Sequence, residues 1–172
     1  MYFERKRLRE LYNRVDAESM EESTFEAYKE ELVSALGKSQ VVQNFFFVKD
    51  DKHFAMKVDP SSITLRRQQP FLYSLSFEGT DDFEAWSVEG GFLCSEGRVR
   101  VWFLRQYVYA ENAIRQGMQE YTIFEGSRLS IKSHSGKWYG KDEDSDPHFR
   151  GTWTLLMKAV GPTNSLEDIK PE

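Results

Sequence analysis

Apolar and polar positions follow two different periods along this chain. Up to about residue 38 the period is close to that of a helix, and from Gln40 onward it is two, broken at short intervals by Gly, Pro and Asp. In the leading stretch Leu8, Leu11, Tyr12 and Val15 fall at i, i+3, i+4 and i+7, which predicts a helix over 3–17. A second helix is expected from Ser23, where Ser-Thr-Phe-Glu has the form of a capping box closed by Glu26. Phe25, Tyr28, Leu32 and Leu36 form its apolar stripe, and Gly37 is expected to stop it in the left-handed conformation. Both stripes are narrow, so the two helices are expected to form a hairpin packed on a larger body.

Beyond Gln40 the alternation predicts a run of short strands. Val41–Val48 and the Phe54, Met56, Val58 segment pair across a turn at Asp50-Asp51, and Ile63 and Leu65 alternate briefly after Pro60. Phe71–Phe77, 83–88 and 91–95 follow, the last two separated at Gly90-Gly91. The longest strand runs from Val99 to Tyr109, after a turn at Glu96-Gly97. Residues Ala110–Gly117 read as a wide loop, with a helical turn as the alternative. Glu120–Phe124, Arg128–Lys132 and Thr152–Ala159 complete the set, with Gly126, Gly136, Gly140 and the acidic Lys141–Pro147 stretch as breaks.

About nine strands with short connections indicate an antiparallel meander, and a sheet of that size curls or closes. The fold class is therefore α+β: an N-terminal helical hairpin followed by a long antiparallel β-meander, strongly curved or closed into a calycin-like β-barrel. Only the general shape resembles calycins, because the early Gly-x-Trp of lipocalins is missing from the first strand. One domain is expected over 1–160, with the hairpin at 1–38, the sheet at 40–160 and a flexible tail at 161–172.

The chain has 172 residues, enough for one real core. It has no apolar run long enough to span a membrane and no apolar h-region behind its charged N-terminus, so neither a spanning segment nor secretion is expected. Cys94 is the single cysteine, which excludes an internal disulfide and points to a cytoplasmic or organellar protein. The net charge of −5 argues against nucleic acid as the main partner, although Arg98, Arg100 and Trp102 share a strand face near Arg66-Arg67.

No complete catalytic or cofactor motif is present: Gly-x-Ser-x-Gly, the phosphate-binding loop and Gly-x-Gly-x-x-Gly are all missing. Asp142, Asp144 and Asp146 begin like a calcium loop, but Pro147 and Trp153 stand where Gly and Glu are required. His53, His134 and His148 lack metal-ligand spacing, so neither a metal nor another cofactor is expected.

Candidate chemistry centres on the long strand, where Val99, Val101, Phe103, Arg105, Tyr107 and Tyr109 share the face expected to point inward. Arg105 among such neighbours needs an acidic partner or an anionic ligand. Eleven Phe, five Tyr and four Trp lie between residues 40 and 160, so an aromatic-walled cavity is geometrically possible. Arg105, Tyr107, Trp86 and Tyr121 are the expected ligand-binding residues, for a small amphipathic ligand with an anionic head and an apolar or conjugated body. The main reading is thus a non-enzymatic small-molecule binding domain. The alternatives are a protein-interaction or assembly subunit that uses the helical hairpin and a sheet face, and a small acid/base enzyme in a curved-sheet pocket.

Overall fold

The structure, a computed structural model, describes residues 22–95, 98–130 and 133–157. The expected first helix, the Ser23 hydroxyl and the tail from 161 lie outside the described residues and side chains. Helix α1, Glu22–Gly37, buries Phe25, Tyr28, Leu32 and Leu36, the stripe anticipated from the spacing, together with Ala35. Gly37 does not stop it. Lys38 keeps right-handed helical angles and leads into a short α2, Ser39–Val42, and the left-handed residue is Gln43 at φ 51°. Val41 and Val42 are consequently helical, with Val41 exposed, and the first strand starts later than the apolar run suggests.

Strand β1, Phe45–Lys49, turns into β2, Lys52–Ala55, through Asp50 and Asp51, both at positive φ. That two-residue loop follows the twist of the flanking strands, and Asp tolerates its left-handed angles. After Met56 the chain continues as β3, Lys57–Val58, then a 3₁₀ turn at Pro60–Ser62, and β4, Thr64–Gln69. The meander proper is β5, Leu72–Thr80; β6, Ala85–Ser95; β7, Arg98–Tyr107; β8, Tyr121–Ser130; β9, Ser133–Lys141; and β10, His148–Leu156. Helix α3, Ala110–Arg115, occupies the stretch that reads as a loop and buries Ala113.

Every pairing is antiparallel, in the order β2-β1-β10-β9-β8-β7-β6-β5-β3, with β4 added beside β5. The two ends of that order, β2 and β3, are consecutive pieces of one extended segment. Lys52–Ala55 pairs with β1, the Met56 amide still donates to Phe45 O at 2.8 Å, and Lys57–Val58 pairs with β5. One segment thus joins both margins of the sheet and makes a nearly closed barrel. Counted with that segment as one stave, the barrel has β1 and β5 to β10 as the others.

Its interior is filled. Phe45, Phe47, Phe77, Trp86, Phe92, Phe103, Phe124, Trp138 and Trp153 all point inward with almost no exposure. Glycines make room for them: a Cβ on Gly79 would stand 2.6 Å from the Trp86 ring, and one on Gly126 would stand 2.7 Å from Trp153. For this reason Gly90-Gly91 does not divide two strands but lies within β6. Gly126 likewise lies within the single strand β8, where a break between two strands is expected from sequence. Gly136 and Gly140 lie inside β9, a whole strand that their turn-like appearance hides.

Helix α1 covers one end of the barrel. Phe25 packs on Phe71, Tyr73 and Phe92 at centroid distances of 5.5, 6.0 and 5.6 Å, and the Tyr28 hydroxyl meets His134 Nε2 at 2.6 Å. Asn44 ties the helix to the last strand, donating to both Ala35 O and Leu156 O at 2.9 Å. At the other end Phe83 packs on Phe54 and Phe47, beside buried Ala113 and Met118. Among the described residues, no helix is long and apolar enough to cross a membrane.

Leu32 is fully buried between α1 and the barrel, so Leu32→Ala should lower stability by about 2–5 kcal/mol. An unchanged denaturant midpoint would show that α1 does not share the barrel's core.

Candidate functional site

Register decides what the long strand presents. Trp86, Val88 and Gly90 on β6 stand opposite Tyr107, Arg105 and Phe103 on β7, which in turn face Thr122 and Phe124 on β8. Arg105, Tyr107 and Trp86 therefore meet inside the barrel, as their shared parity predicts. Tyr121 does not join them. It is one residue out of phase, so Thr122 takes the inward place and Tyr121 packs outside with Leu104 and Ile123.

The Arg105 guanidinium is completely buried and answered from within the chain. Nη1 donates to Asp81 Oδ2 at 2.9 Å, and Nη2 donates to the Tyr107 hydroxyl at 2.7 Å and to Thr122 Oγ1 at 3.3 Å. Tyr107 passes its own proton to the same Asp81 oxygen at 2.8 Å. The rings of Tyr107, Phe47 and Phe124 lie 4.6, 4.8 and 5.1 Å from the guanidinium carbon, which adds cation–π attraction where water is excluded. Asp81 comes from the β5–β6 turn, and its Oδ1 accepts the Phe83 and Glu84 amides, so one carboxylate shapes the turn and neutralises the cation. Asp81 is the partner that sequence reading left in a solvent turn. Its only signal is that it continues the parity of Phe77 and Gly79, the inward positions of β5.

Burial pushes the Tyr107 phenol well above its ordinary range, the Arg105 charge partly opposing the shift. Arg105 Nε and Trp86 Nε1 are buried donors without a hydrogen-bond partner among the described residues.

A second arrangement lies on the outer face of β7, β8 and β9, where a groove of about 360 Å³ opens to solvent. Its residues form rows across the three strands. Arg100, Ser127 and Ser135 stand in register, and Trp102, Glu125 and Lys137 form the next row. Leu104, Ile123 and Tyr139 follow, with Tyr139 reaching the groove. The backbone at Val101, Gly126 and Gly136 contributes to the lining. The Trp102 ring lies 3.5 Å from where a Gly91 Cβ would stand, an ordinary van der Waals contact.

The electrostatics of the groove differ from those of the interior. Among the described residues, the side chains of Arg100, Ser127 and Ser135 have no hydrogen-bond or ion-pair partner, so two hydroxyls and a guanidinium stand together. The Lys137 ammonium lies 5.7 Å from the Phe149 ring centroid, a soft contact that leaves its charge unneutralised. Sequence parity had placed Arg100 and Trp102 on one outer face. Ser127, Ser135 and Lys137 carried no signal, because β9 was not recognised as a strand. Among the described residues, no three His, Cys, Asp or Glu side chains are grouped to hold a metal ion.

Removing the Asp81 charge would leave a guanidinium buried without compensation, so Asp81→Asn should destabilise by about 3–5 kcal/mol. Adding Arg105→Met to that variant should recover part of the loss, and strict additivity of the two changes would show that the pair is not coupled. The phenols of Tyr73, Tyr107 and Tyr121 are all raised in the folded state, burial being the largest cause for each. The unfolded chain therefore releases these protons first, and the associated stability, intact below pH of about 10, is lost as pH rises beyond it. A denaturant midpoint that stays constant as pH rises past about 10 would contradict this.

Comparison with protein-family models, curated proteins and solved structures finds no match to this chain.

Proposed function

We propose that this protein is a non-enzymatic small-molecule binding module of calycin-like design, and that it takes an anionic ligand with an aromatic or amphipathic body on the outer face of β7–β9. A barrel-like fold is compatible with ligand binding, and the observation that carries the reading is the groove itself. Two cations without acidic partners among the described residues, Arg100 and Lys137, stand beside aromatic Trp102 and Tyr139 around a concavity of about 360 Å³. Such a site favours a ligand whose acid meets the cations while its body covers the rings. The interior favours it less. Asp81 already holds the Arg105 charge, and the space around Trp86 and Tyr107 is filled by their neighbours.

A second reading, as an assembly subunit, draws support from the exposed Val108, Tyr109 and Ile114 at the junction of β7 and α3. Apolar side chains gathered at a turn suit contact with a protein partner, and the helical hairpin expected over 1–38 would add a second surface.

Titration with an anilinonaphthalene sulfonate checks the main reading, with circular dichroism confirming that each variant is folded. Saturable binding at one site per chain is expected. Arg100→Ala combined with Lys137→Ala should weaken it about tenfold or more, the scale of losing one or two charge-assisted contacts. Full affinity in that double variant would move the ligand elsewhere on the molecule.

A further inference from the structure

Resting on the groove as a ligand site, we infer that its ligand is an aromatic phosphate monoester of the nucleoside monophosphate class, bound as a single unit and not as part of a nucleic acid strand. The inference follows from the number and placement of the donors. Arg100, Ser127 and Ser135 occupy one row across three adjacent strands, and none of the three side chains is engaged by another of the described residues. Neighbouring strands are about 4.8 Å apart, so side chains opposite one another can close on a single small group between them. A planar carboxylate offers two oxygens in one plane. A phosphate monoester offers three terminal oxygens in a tetrahedron, enough to accept from both hydroxyls and the guanidinium at once. The charge agrees in sign, because Arg100 and Lys137 outnumber the one carboxylate of the groove, Glu125.

The second row selects the body. Trp102 and Tyr139 give the groove aromatic walls, which favour a flat ring system. Glu125 lies between Trp102 and Lys137 in register, so a carboxylate stands where the rest of the ligand must pass. It is an acceptor for a ribose hydroxyl or an exocyclic amine. The groove's volume, at the small end of ligand sites, fits one nucleotide.

The experiment is a calorimetric titration of the full chain with adenosine 5′-monophosphate, adenosine, inorganic phosphate and a short oligothymidylate, alongside the sulfonate dye. The monophosphate should bind one per chain, about tenfold or more tighter than either adenosine or phosphate alone. Ser127→Ala with Ser135→Ala should lower its affinity about tenfold. Both are partly exposed strand positions, where such changes scarcely alter stability. Dye binding without monophosphate binding overturns this inference while leaving the groove as a ligand site. Failure of both removes the groove reading altogether. An oligothymidylate that binds as tightly per site as the mononucleotide, with Glu125→Gln having no effect on it, replaces the mononucleotide with single-stranded nucleic acid.

Discussion

The segment Lys52–Val58 is hydrogen-bonded to both margins of the same sheet, and the rest of the molecule depends on that closure. A sheet that ended at β1 and β5 would present two edges and an open trough. Once one segment joins them, the volume inside is set by the backbone, and side chains have to fill it at close to crystal density. The chain meets that requirement by setting large rings against absent ones: Trp86 over Gly79, Trp153 over Gly126, and Trp138 beside Gly151. Rings also interlock across the barrel, Phe103 meeting Phe45, Phe77 and Trp153 at 6.1, 5.6 and 5.8 Å. A barrel packed in this way has its stability inside.

The buried ion pair belongs to that packing. Two buried charges gain little net stability over an apolar pair of equal volume, because desolvation offsets most of their attraction. What Arg105 and Asp81 add is position. The carboxylate that holds the guanidinium also accepts the Phe83 and Glu84 amides, so the β5–β6 turn folds over the barrel mouth in one arrangement and carries Phe83 onto Phe54 and Phe47. At the opposite end α1 is fastened comparably by polar contacts around apolar ones. Tyr73 donates to Glu26 at 2.6 Å, while Glu26 also pairs with Lys29 at 2.7 Å. Both ends thus combine aromatic contact, which supplies burial, with a directional bond that chooses the orientation.

How far residues alone reveal this structure depends on which physical rule governs each position. Strand parity is strict, so the face carrying Val101, Phe103, Arg105 and Tyr107 follows directly from the alternation, and so does the burial of Arg105. The same rule, misapplied by one residue, put Tyr121 in the interior in place of Thr122. Glycine is ambiguous, because a residue without a side chain serves a turn by its freedom and a barrel wall by its small size. Gly90, Gly126 and Gly136 belong to the second kind, and mistaking them for the first cut β6 and β8 in two and hid β9. Phe71 is the converse case. It takes φ 65° in the turn after Pro70, where glycine would be at ease, and its contact with Phe25 at 5.5 Å holds the aromatic residue there. Asp81 depended on a long-range partner, which local pattern does not contain.

Inner and outer faces of β7, β8 and β9 are written on the same strands, so the register that buries Val101, Phe103 and Arg105 also aligns Arg100, Trp102 and Leu104 outside. Gly126 and Gly136 matter to both. They face each other across β8 and β9, and a Cβ on Gly126 would strike the Trp153 ring. Their immediate outward neighbours are Glu125 and Ser127 on one strand and Ser135 and Lys137 on the other, the residues that shape the groove. A barrel wall thinned to admit tryptophan inside thus carries, on its other side, a row of short hydroxyl side chains between longer charged and aromatic ones. The concavity follows from that difference in side-chain length. Its chemistry is set by outward side chains, which can change without disturbing the packing beneath them.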